Sequence, residues 1–204
     1  MQITSKQKGT LLFSLLFMLI MLFITFDNKA VFWYLYTFTI LVCLAIAILN
    51  AKFFDELPTW HYLLFGIGYG TISYGIIRLG YEIAPMLSFK IAKPITKFLN
   101  DFAPAHIGHY VLLIFIIIIG EELFWRGYVQ QLLKSMMKTS LAVVTTALLS
   151  AIVLLPSGFT PGMMAAFTVS LLWGFLYEWK RSMPLIIITH TVFILLLFLV
   201  LPLQ

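Results

Sequence analysis

The stretch Val111-Leu112-Leu113-Ile114-Phe115-Ile116-Ile117-Ile118-Ile119-Gly120-Glu121-Glu122-Leu123-Phe124-Trp125-Arg126-Gly127 decides how this chain folds. An unbroken apolar run leads into two adjacent acids and then a base. Such a run is half of a membrane crossing, since a helix needs about 20 mostly apolar residues to span the hydrocarbon. A span starting near Ile107 must therefore carry Glu121 and Glu122 into the bilayer. Each buried carboxylate costs about 3 kcal/mol on insertion scales, so the pair requires a compensating role.

The rest of the chain agrees with a membrane setting. Of 204 residues, 62% are hydrophobic and 10% charged, whereas a soluble domain carries about 25% charged residues. With 13 basic and 8 acidic side chains, the chain cannot cover a water-facing surface. A soluble enzyme, a nucleic-acid-binding module and a disordered tail are excluded. The fold class expected is all-α, a polytopic transmembrane helical bundle forming one integral membrane domain over residues 1–204. Uncharged runs cover Gly9–Phe26, Val31–Leu49 and Trp60–Ile77, and the span from Ile107 is the fourth. Thr139–Tyr177 is too long for one helix, and the breakers Pro156-Ser157-Gly158-Phe159-Thr160-Pro161-Gly162 divide it. Ser182–Gln204 closes the count at seven, rising to eight if Phe89–Phe102 dips into the membrane.

The net charge of +5 comes from lysines and arginines set in ones and twos beside apolar runs. That pattern suits anchoring to membrane lipids with anionic headgroups and indicates no nucleic-acid partner. Lys6, Lys8, Lys52, Arg126, Lys134, Lys138, Lys180 and Arg181 fall on the side of the N-terminus, against Lys29, Arg78, Lys90, Lys93 and Lys97 opposite. The bias expects a multi-pass protein of the cell membrane with a cytoplasmic N-terminus. Cys43 is the single cysteine, so an internal disulfide is impossible. The apolar run after Lys6 and Lys8 is too long for a signal h-region and is expected to stay as a helix. The connection Tyr81–His106 is amphipathic and suits a helix in the interface, either a surface anchor or a gate over a cavity. Gly66 and Gly70 make a small-xxx-small pair for close helix contact.

On a helix Glu122 and Arg126 are four apart with the acid first, the favoured order for an ion pair. Glu121 sits about 100° round and lacks that partner. His190, in the last span, is the natural second partner. Counted from Arg126 and Arg181, Glu121 and His190 both fall in the cytoplasmic third, within roughly 6 Å in depth. Such an imidazole is a metal ligand, a proton relay or a hydrogen-bonded structural partner. His61, His106 and His109 read as interfacial, Asp55, Glu56 and Glu178 as solvated, and tyrosines and tryptophans at span ends as belt residues.

Gly120-Glu121-Glu122-Leu123-Phe124-Trp125-Arg126-Gly127 resembles the first motif of the CPBP family, the CAAX-protease and bacteriocin-processing intramembrane proteins. Trp173-Gly174, the basic turn Lys180-Arg181-Ser182 and His190 resemble the family's last motif, which places a CPBP-like core at 107–204. The resemblance implies an intramembrane endopeptidase with Glu121, Glu122, Arg126 and His190 as catalytic residues. One glutamate would act as general base. A divalent metal such as zinc, if bound, would be held by Glu122 and His190. The substrate implied is a membrane-associated peptide or protein, such as a bacteriocin leader or a lipidated tail. The chain departs from the pattern twice: Gly158 stands where a second histidine is expected and Ile194 where an asparagine or aspartate is expected. These departures leave open an inactive family member serving bacteriocin immunity or a membrane scaffold. A transporter or proton channel would be expected to show two similar halves, and none is visible.

Overall fold

A computed structural model describes residues 4–203. The expected end of the last span at Gln204, like the domain limits at 1 and 204, lies outside them. The helices are α1 (Ser5–Asp27), α2 (Lys29–Asn50), α3 (Thr59–Leu87), α4 (Ala92–Phe102), α5 (Ile107–Lys134), α6 (Thr139–Ser157), α7 (Thr160–Lys180) and α8 (Met183–Val200). All except α4 are long and apolar enough to cross a membrane, and there is no strand among the described residues. The protein is a multi-pass helical bundle with seven candidate spans.

At 11 residues α4 is no eighth span, being only about 17 Å long at 1.5 Å per residue. It lies across one end of the bundle with Ile95 and Phe102 turned inward. Phe98 stacks on Phe159 at 4.2 Å, Phe102 packs on Phe26 and Phe32 at 5.2 and 4.8 Å, and Lys29 pairs with Asp101 at 2.6 Å.

The small-xxx-small expectation holds. A Cβ on Gly66 would lie 2.6 Å from Ile188 Cγ2, and one on Gly70 would lie 2.7 Å from the Thr189 carbonyl oxygen. Absence of side chains there lets α3 and α8 meet backbone to backbone. The start of α8 is pinned as well. Asp55 and Ser182 form an antiparallel bridge, Met183 N–H donates to Phe54 O at 2.8 Å, and Ser182 Oγ caps the Leu185 N–H. Both constraints act on the helix that carries His190.

The sequence count treats Arg126 as a cytoplasmic loop charge, and the structure corrects this. Arg126 is 3% exposed, and α5 runs on to Lys134. Its charge is matched by Glu122 one turn back, so the helix does not have to end there. Glu121 therefore stands near the middle of a 28-residue helix, not in the cytoplasmic third. The positive-inside tally falls to seven against five.

Candidate active site

The acid pair sits between two π-helical stretches of α5, Leu113–Ile117 and Leu123–Gln130. Turns of this kind are rare and occur mostly as local insertions at functional sites. Just before the pair, Gly120 lets α2 approach: a Cβ there would be 2.3 Å from Ile40 Cγ2.

The two acids have different surroundings. Glu122 has a fully buried side chain, and Arg126 is almost as buried beside it. Arg126 NH1 donates to Glu122 Oε1 at 3.3 Å, and Nε lies 3.2 Å from Oε2 as an ion pair without hydrogen-bond alignment. His190 Nδ1 lies 2.7 Å from Glu122 Oε1. A carboxylate facing Arg126 can only accept, so Nδ1 carries a proton and donates to it, leaving Nε2 turned toward Glu121. Trp173 packs on both partners of Glu122: its ring is 4.6 Å from that of His190 and 5.4 Å from the Arg126 Cζ, and its N–H donates to Ser73 Oγ at 2.9 Å.

Glu121 is the acid that faces open space, with 20% of its side chain exposed. It lines a cavity of about 870 Å³ together with Tyr36, Arg126, Trp173 and His190. From this polar end the cavity runs between apolar walls to the end of the bundle covered by α4, where Phe89, Ile95 and Phe98 roof it. The connection 81–106 is thus part of the cavity wall.

All four site residues expected from the sequence converge, with one change of partner. His190 makes its close contact with Glu122, the acid already paired with Arg126, and its Nε2 stands 4.0 Å from Glu121 Oε2. The partner of Glu121 Oε1 is the hydroxyl of Tyr36, which donates to it from α2. The sequence reading misses Tyr36 because it lies in the aromatic run Phe32-Trp33-Tyr34-Leu35-Tyr36 at a span start. Tyr34 does behave as a belt residue, 70% exposed. Glu178 is also corrected: it is partly buried, accepting from Gln130 at 2.9 Å, from Gln131 at 2.7 Å and from Lys134. His109 stacks on Trp33 and His61 on Trp60, away from the cavity.

The two departures from the family pattern both lie on the cavity wall. Gly158, in the turn between α6 and α7, has φ +62°, and Ile194 is an apolar lining residue of α8. Neither supplies a ligand. A catalytic zinc takes three protein ligands, and Glu122 is already engaged by Arg126 and His190. Only Glu121 Oε2 and His190 Nε2 face each other, and no cluster of three metal-ligating side chains exists among the described residues. The donor set does not fit a zinc centre with Glu122 and His190 as ligands.

Residues 103–196 match the family described as type II CAAX prenyl endopeptidase Rce1-like. That segment is a little under half of the chain, and its similarity to the Rce1-like model is consistent with the CPBP family. No curated protein matches the chain, and no solved structure matches it.

Proposed function

We propose that the protein is an intramembrane endopeptidase of the CAAX type that cuts a membrane-associated peptide with Glu121 as general base. The observation carrying this reading is the unequal placement of the two acids. Glu121 faces the cavity opposite His190 Nε2, while Glu122 does not line it and stands behind the imidazole. A water between Glu121 Oε2 and His190 Nε2 would give its proton to Glu121 and attack the scissile carbonyl. The proton then passes to the leaving amine. Arg126, a residue of the cavity wall, supplies the positive charge that the tetrahedral oxyanion needs. Glu122 orients His190 in the way a buried acid orients a catalytic histidine elsewhere. No step in this scheme is routed through a metal.

In a cell membrane with the N-terminus cytoplasmic, the cavity opens toward the outer face. The seven-to-five excess of basic residues supports that orientation. The apolar walls suit a lipidated or strongly apolar tail, delivered from within the bilayer.

The test uses the full chain in liposomes with a quenched fluorescent peptide carrying a farnesylated CAAX end, alongside an unlipidated leader peptide. Glu121→Gln is expected to lower kcat by about 10²–10⁴, the usual worth of a general base, without changing the thermal midpoint. Cleavage by this variant at the wild-type rate would overturn the assignment, as would failure of the wild-type protein to cut either peptide.

A further inference from the structure

We propose that Tyr36 is a positioning residue for Glu121, holding the carboxylate so that Oε2 points to His190 and the cavity. The proposal rests on the reading of Glu121 as the base. Tyr36 lies on α2, outside the Rce1-like segment at 103–196, so the family match assigns it nothing.

Three observations carry it. First, the Tyr36 hydroxyl donates to Glu121 Oε1, while the other oxygen, Oε2, is the one that lies 4.0 Å from His190 Nε2. With one oxygen tethered, rotation of the carboxylate is restricted and the other is presented to the gap. Second, the phenol is itself held: its ring packs on Phe32 at 5.6 Å, with 34° between the planes. Third, α2 is close enough to deliver the hydroxyl because Gly120, adjacent to Glu121, has no side chain to fend off Ile40, one turn along from Tyr36. The groups facing Glu121 are then Tyr36 from α2, His190 from α8, and Glu122 and Arg126 from its own helix. Of these, Tyr36 is the one that hydrogen-bonds it.

The experiment has a readout that needs no substrate. The infrared difference spectrum between Tyr36→Phe and wild type, taken on the full chain in lipid–detergent micelles, should show a displaced carboxylate stretch. The same difference taken in a Glu121→Gln background should vanish. On the farnesylated peptide, Tyr36→Phe should lower kcat by about 10–100-fold, as expected for loss of a hydrogen bond to a charged group, with KM and thermal midpoint unchanged. Gly120→Ala, which pushes α2 away without touching the hydroxyl, should displace the same band. An unaltered carboxylate band in Tyr36→Phe, or a change that persists without Glu121, overturns the proposal. If the wild-type protein cuts neither peptide, the protease reading fails, and the infrared result still decides the role of Tyr36.

Discussion

Replacing Arg126 by methionine removes an almost wholly buried cation from the cavity wall. Glu122 is fully buried and Arg126 has 4% of its side chain exposed, with contacts at 3.2 and 3.3 Å. Breaking a buried pair by deleting one member costs about 3–5 kcal/mol, because the remaining charge is uncompensated. Here the His190 N–H at 2.7 Å stays with Glu122, so the lower end, about 3 kcal/mol, is expected. That is a factor of more than about 100 in the folded-to-unfolded ratio. In the double variant Glu122→Gln, Arg126→Met the charge is gone from both sides, and the amide oxygen still accepts from His190. Most of the loss should then be recovered. The assay is equilibrium unfolding in mixed micelles, followed by tryptophan fluorescence, on the wild type, both single variants and the double. Strict additivity of the two single losses, or an Arg126→Met protein as stable as wild type, would refute the reasoning.

Other outcomes follow from the same contacts. Gly70→Val should cost about 1–3 kcal/mol by overpacking, because its Cβ would meet the Thr189 carbonyl oxygen at 2.7 Å. Gly75→Ala on the same helix meets nothing within 4 Å and should be neutral or stabilising in the same unfolding assay. Gly158→Ala should lose about 1–2 kcal/mol despite open space around it, since φ is +62° there. Treatment with 1,10-phenanthroline should leave peptide cleavage unchanged. Loss of activity restored by added zinc would show that the donors rearrange around a metal.

Much of the architecture was legible in the residue order. Apolar runs set the number and order of the seven spans, since crossing hydrocarbon is a demand on composition and length alone, although α3 runs ten residues past the expected end at Ile77. The Glu122–Arg126 pair was legible for a similar reason: a four-residue spacing brings the two side chains together on any helix of this kind. The close contact of α3 with another helix followed from Gly66 and Gly70, although the sequence did not say that α8 was the partner.

What remained hidden depends on which helix stands beside which. Arg126 looks like a membrane-edge charge until its neutralised pair is seen at the centre of α5. Tyr36 looks like a belt residue until α2 docks at Gly120 and turns its hydroxyl to Glu121. By itself the sequence determined that two acids and an imidazole fall within apolar spans, because periodicity and hydropathy are local properties. Only the tertiary structure decided that His190 takes Glu122, that Tyr36 takes Glu121, and that one acid alone borders the cavity. Those choices are made by contacts between residues up to 85 positions apart, and no local pattern encodes them.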